Sequence, residues 1–339
     1  MRRWTLALAL AAAAAMAPRT GAAHIRWFSP QNKYPDASFA LDATTLAVTL
    51  GAAAFAALAV LVHRRAEGWP WASRIASAVP VSQEALWRVI AVLAGVMLIA
   101  TASQDVFLAT NIPLPEGSVR LVGQLAQAVV GVLLISQVSF VASAALIVVA
   151  GLAALVLAPL AAMADYLVEF VALAAALALV GPRLSPVDAG FARRFGWDPD
   201  KGFDLALPIL RIGLGATLCI LAIHNKLLTP GLGLTFLDDH AFNFMPQLGF
   251  SGFTNLHFVY AAGIAELLFG LLLVAGIATR FTTAVLATFF VLTLVAIGPV
   301  ELVGHAPIFG IALLLIVHGS GGLGLGARKA AMESVPAQA

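Results

Sequence analysis

The sequence predicts an all-α fold, a polytopic bundle of about nine transmembrane helices after an N-terminal signal peptide, and three observations predict it. Apolar residues form 61% of the 339 positions and charged residues only 11%, against roughly 25% charged in a soluble domain. Mean hydropathy is +0.97. Apolar runs recur that are long enough to cross a hydrocarbon core of about 30 Å. The lipid bilayer is therefore the expected partner. With 19 Lys and Arg against 17 Asp and Glu and no basic stripe interleaved with aromatics, the chain does not read as a nucleic-acid binder. Cys219 is the single cysteine and lies inside an apolar run, which excludes an intrachain disulfide and a paired-cysteine redox or zinc site.

Met1, Arg2 and Arg3 form a basic start, residues 4–17 a short apolar stretch, and Gly21, Ala22 and Ala23 a small-residue cleavage site. Residues 1–23 thus read as a signal peptide rather than an uncleaved anchor, since Pro18 and Arg19 close a stretch too short to span. Cleavage would make His24 the terminus, where its α-amine and imidazole could chelate Cu(II), or where it simply follows the cut.

Nine spans follow at residues 41–62, 85–102, 119–136, 140–158, 163–180, 205–224, 257–277, 281–299 and 306–319. Five lie in an N-terminal membrane region, 24–180. A cytoplasmic linker, 181–204, carries GPRLSP and FARRFGWDPDKG; a four-helix bundle occupies 205–319 and a cytoplasmic tail 320–339. An exported N-terminus and nine spans leave the C-terminus in the cytoplasm. On that side fall Arg64, Arg65, Arg74, Arg88, Arg183, Arg193, Arg194, Lys201, Arg280, Arg328 and Lys329; outside fall only Arg26, Lys33, Arg120 and Lys226. Eleven against four is the charge bias of a multi-pass inner-membrane protein with its N-terminus in the periplasm.

Three strings of the last four spans carry a family resemblance: RIGLGATLCILAIHNKL (211–227), GIAELLFGLLLVAGIATR (263–280) and GHAPIFGIALLLIVHGSGG (304–322). An arginine with small residues at helical spacing, a mid-span glutamate and a glycine-rich ending resemble the DoxX family, related to the small DoxD subunit of thiosulfate:quinone oxidoreductase. The resemblance implies membership in a quinone-linked or other redox membrane system. It does not reach the first five spans.

Glu266 lies near the middle of its span, where a carboxylate faces the bundle interior and needs a partner. At about 1.5 Å per residue, Arg211 is within reach, so a Glu266–Arg211 pair is expected, catalytic or purely structural. His24, His224, His240, His257 and His305 all fall on the expected outer side. His24, His240 and His305 with Asp238 and Asp239 would suit copper, zinc or non-haem iron. Alternatively, His224, Lys226, His257 and Tyr260, with Glu169, would hydrogen-bond a quinone head group. Interfacial histidine is the bland alternative to both.

Asp165 and Glu169, spaced i, i+4 in the fifth span, would share one helix face, Asp165 hydrated and Glu169 the stronger candidate for a proton or cation. Gln124 and Gln127 read as glue between helices. The apolar loop 229–255, with Phe236, Phe242, Phe244, Met245, Phe250 and Phe253, should anchor at the membrane surface or cover the bundle as a lid. The expected function is an accessory or quinone-interacting subunit of a redox system at the periplasmic face, met by a periplasmic redox or metal-binding protein. Copper handling or solute transport is the alternative, and a scaffold the third. No nucleophile with its base, phosphate loop or haem motif appears, so any enzymatic role would belong to a quinone-linked oxidoreductase system rather than to this chain alone.

Overall fold

A computed structural model describes residues 32–66, 78, 81–158, 160–297 and 300–324. The expected signal peptide, His24 and the tail beyond 324 lie outside them. Helix α1, Ala43–Ala66, starts behind Asp42, whose carboxylate accepts the Thr45 backbone N–H at 2.8 Å. Such a cap satisfies a donor that a helix start leaves unpaired. Ser82 caps α2, Gln83–Ala102, and a small hairpin follows, β1 Val106–Phe107 paired antiparallel with β2 Ala109–Pro113. Helices α3, Ser118–Ser136, and α4, Phe140–Leu157, are next. A turn at 164–166 precedes α5, Leu167–Leu184.

The expected linker 181–204 is largely helical. Ser185 and Pro186 start α6, Pro186–Phe195, and Asp198 and Pro199 start α7, Pro199–Leu221, which is continued by a π-helical turn, Ala222–Leu227. Proline at the first helical position and a serine or aspartate before it make both starts local choices of the sequence. Asp188 of α6 is buried and accepts from Ser139 Oγ at 2.5 Å and the Phe140 N–H at 2.7 Å, capping α4. Then come α8, Pro230–His240; α9, Asn255–Ala275; α10, Thr279–Ile297; and α11, Val300–His318.

Neighbour packs on neighbour in a closed circuit: α2, α3, α4, α5, α7, α9, α10, α11 and back to α2, with α1 outside against α9. Contacts of α2 with α5 and of α7 with α11 cross the circuit, so two four-helix lobes share a waist. The two halves of the chain do not form separate bodies.

Seven helices are long and apolar enough to cross a membrane: Ala43–His63, Gln83–Ala102, Ser118–Ser136, Phe140–Leu157, Leu167–Leu184, Pro199–Leu227 and Asn255–Ala275. Two shorter apolar helices, Thr279–Val295 and Gly304–His318, complete the described set. Leu46, Leu50 and Leu58 of α1 and Leu121, Val122 and Leu125 of α3 are more than half exposed, as side chains facing lipid are. This is the architecture of a multi-pass membrane protein.

In lipid, apolar side chains gain little by leaving their solvent, so close packing of small residues holds helices together. A Cβ on Gly215 of α7 would stand 2.7 Å from the Gly270 carbonyl oxygen of α9; one on Gly95 of α2 would stand 2.6 Å from that of Gly131 on α3. Backbone meets backbone at both crossings. At the opposite end from α8, the buried Arg211 guanidinium donates to the carbonyls of Leu273, Val274, Ser320 and Leu323. Arg211 thus closes the C-terminal ends of α9 and of the segment after α11, where orphan carbonyls carry partial negative charge.

Gly215→Leu is expected to lower the melting temperature of the detergent-solubilised protein, by overpacking of about 1–3 kcal/mol. Gly51→Ala, with nothing within 4 Å of its Cβ, should not. Equal melting of both variants would show that the α7–α9 crossing is not tight.

Candidate functional site

The site follows from the last turn of α7. The π turn packs against α9 and α8 and carries three consecutive polar residues, His224, Asn225 and Lys226. Asn225 Nδ2 donates to Asp165 Oδ2 at 3.1 Å, and His224 Nδ1 lies 3.0 Å from Asp165 Oδ1. On the other flank Lys226 Nζ meets Glu266 Oε2 at 2.6 Å. A widened turn of this kind shifts helical register and recurs at functional sites.

Two expectations are corrected here. Glu266 pairs with Lys226 of the π turn and not with Arg211, which lies near the middle of α7 and is consumed by carbonyls, among them those of Leu273 and Val274 at the far end of α9. Asp165 does not share a helix face with Glu169, because α5 starts only at Leu167, and Asp165 is fully buried rather than hydrated. Its two oxygens are held by the π turn.

Beneath these groups lies a chamber of about 260 Å³. Its walls come from α5, α7, α9, α10 and α11, and its cover from α8 and the loop after it. Seven phenylalanines line it, Phe236, Phe242, Phe244, Phe258, Phe269, Phe289 and Phe290, with the polar groups Glu169, Thr217, Asn225, Lys226, Glu266, Thr293 and His305. Glu169 lies in the protein interior facing the chamber, and among the described residues it makes no hydrogen bond or salt bridge; His305 acts on it only through space. The His305 ring packs 4.9 Å from that of Phe290.

The segment 229–255 contributes part of the chamber wall. Phe236, Phe242 and Phe244 cover the chamber, while Leu248 and Phe250 are 63% and 58% exposed. The first described residues strap the cover down. Lys33 Nζ pairs with Asp239 and the Tyr34 hydroxyl donates to Asp238, both at 2.7 Å, and the Lys33 N–H donates to Thr235 Oγ1 at 3.0 Å. His257 Nε2 meets Asp42 at 2.7 Å and Tyr260 meets Thr49 at 2.9 Å, tying α9 to α1.

The residues grouped as metal ligands are therefore dispersed. Asp238 and Asp239 hold the strap, His240 packs on Phe236, and His305 faces the chamber. Among the described residues no three His, Cys, Asp or Glu side chains gather in a way that could hold a metal ion, and His24 lies outside them. Of the expected quinone set, Lys226 and Glu169 line the chamber, whereas His224, His257 and Tyr260 do not; Glu266, expected as the partner of Arg211, lines it as well. Asn225, Thr217, Phe258, Phe269, Phe289 and Phe290 were not singled out from the sequence. The run of three polar residues at a span end was the available signal for Asn225.

Gln127 is buried and accepts from the Leu108 N–H at 2.6 Å while donating to the Val106 carbonyl at 2.8 Å; Gln124 donates to Asp105 at 2.8 Å. Both glutamines bind the hairpin to α3, as glue. The chain matches no family model, and no curated protein or solved structure is significantly similar to it.

Breaking one partner of an enclosed ion pair strands the other charge, which is more damaging than losing both. Lys226→Met is expected to destabilise the protein by about 1–3 kcal/mol, less than for a fully dry pair because the chamber is open to Glu266. Lys226→Met/Glu266→Gln should recover most of that loss in thermal melts. A double variant as unstable as the single one would remove the stranded-charge explanation.

At the strap, the Thr45 N–H and then His257 hold the Asp42 carboxyl at about 2, below its ordinary 3.8. A depressed acid stabilises the fold above its unfolded value and loses that contribution as pH falls through the folded one. Melting temperature should therefore drop between pH 3.8 and about 2 more steeply in the wild type than in Asp42→Asn, which should already melt lower near neutrality. Lys33 and Tyr34 are both raised by hydrogen bonds to Asp239 and Asp238, so their contributions last until alkaline pH. Identical acid profiles for wild type and Asp42→Asn would refute the role given to Asp42.

Proposed function

We propose that the protein is an inner-membrane ligand-binding subunit, with its α8 end in the periplasm, that holds a lipid-soluble molecule with a compact polar head in the chamber. The chamber is the observation that carries this reading. An apolar cavity with a few convergent polar groups is the usual form of a small-molecule site, and this one sits in the half of the bundle that α8 covers, with its polar wall on the π turn. Phe244 and Phe289 line it and are 46% and 47% exposed, so it is not sealed, and a hydrophobic molecule could enter from the bilayer.

The resemblance of the last four helices to the DoxX family makes a quinone the first candidate and an accessory role in a periplasmic redox system the natural setting. Lys226 would donate to a quinone carbonyl, and Glu169 would hydrogen-bond the head group. The nine-span topology, with the two shorter helices crossing a locally thin or tilted part of the bilayer, and the cleaved signal peptide belong to the same proposal.

Protein reconstituted into nanodiscs with a short-tailed quinone should retain close to one equivalent after exchange into quinone-free discs. Ala262→Phe places a ring in the chamber wall and should abolish retention without lowering the melting temperature. Equal retention by the two proteins, or by empty discs, would remove quinone binding from the chamber.

A further inference from the structure

From the charge and the aromatic lining of the chamber, we infer that it binds a lipophilic organic monocation, an alkyl- or arylammonium, with Glu169 as the counter-charge. The inference rests on the chamber being a ligand site but not on a quinone occupying it.

Formal charges in the chamber come from Glu169, Lys226 and Glu266. Lys226 and Glu266 are closed on each other at 2.6 Å and side by side are close to neutral. Glu169 is left with no hydrogen bond or salt bridge among the described residues, and an ionised carboxylate in an apolar enclosure is strongly disfavoured unless a counter-charge or donor arrives. His305 is the other titratable side chain at the chamber wall, and it faces Glu169 only at a distance.

The rest of the lining fits the same occupant. Phe236, Phe244, Phe258, Phe269, Phe289 and Phe290 contribute rings from four separate segments. Ring faces attract cations through their quadrupole, more strongly where water is excluded, and they also accommodate an aryl or alkyl body. A neutral occupant would use the aromatic lining and leave Glu169 without a counter-charge. An anion would be repelled by it. Only a cation uses both features at once.

The test compares three labelled probes on nanodisc-reconstituted protein, corrected for uptake by empty discs: 4-phenylbutylammonium, the neutral 4-phenylbutan-1-ol of nearly equal shape, and a short-tailed quinone. The ammonium is expected to bind the wild type at least about tenfold more tightly than the alcohol, the worth of one charge-assisted contact. Glu169→Gln should erase that preference while binding the alcohol as the wild type does, which also reports that the variant is folded. Lys226→Met frees a second carboxylate, Glu266, and should increase the preference. Equal binding of ammonium and alcohol, or a preference that survives Glu169→Gln, overturns the inference while leaving the chamber as a ligand site. Quinone binding without ammonium binding overturns it in favour of the quinone reading, and binding of none of the three overturns both.

Discussion

The polar half of this protein depends on one departure from α-helical geometry, the π turn that ends α7. A regular helix carries successive side chains around its axis by about 100°, and α7 runs between α5 and α9 with a partner to satisfy on each. The widened turn sends His224 and Asn225 to Asp165 before α5 and Lys226 to Glu266 on α9. Asp165 would otherwise be a fully buried carboxylate with nothing to hold it, and Glu266 an acid in mid-membrane. The turn therefore makes two intramembrane acids tolerable, and it builds the chamber wall in doing so.

Glu169 is the acid that the turn leaves alone. It stands four residues beyond Asp165, inside α5, and lines the chamber. Buried polar groups in folded proteins are nearly always matched, and those that are not tend to be reserved for something that arrives. The buried charged groups Asp188 and Arg211 are matched, Asp188 capping α4 and Arg211 taking four carbonyls, whereas among the described residues Trp87 Nε1 and the Thr282 and Thr283 hydroxyls have no hydrogen-bond partner. Glu169 differs from these in being an acid at the wall of the chamber.

Close packing confines the chamber to one place. Where glycine faces glycine, at α2–α3 and α7–α9, backbones touch and no cavity can form. Toward the α8 end phenylalanines of α9 and α10 line a space that is roofed by α8 and the loop after it. The roof is fastened by Lys33, Tyr34, Asp238 and Asp239, all on the water side, so it is held by exposed contacts of the kind that individually contribute little. A rigid waist and a lightly fastened roof suit a site that must open.

The sequence by itself did not reach α6, α8 or the hairpin, but it determined the class of the molecule and the place of its long apolar helices to within a turn or two. Those follow from composition, run length and capping, which are local properties. It also singled out Glu169, Lys226 and Glu266, because a charge inside an apolar run is conspicuous without any structure. It misassigned their partners. Arg211 and Lys226 lie on one helix, and nothing in spacing along the chain says which of them meets α9 at the level of Glu266. The start of α5 was placed four residues early because alanine, methionine and tyrosine carry no stop signal there, and that error put Asp165 on the wrong surface. Only the tertiary structure decided which acid is paired and which is left open, since pairing depends on depth, rotation and the register of neighbouring helices, which are set by packing between segments far apart in sequence.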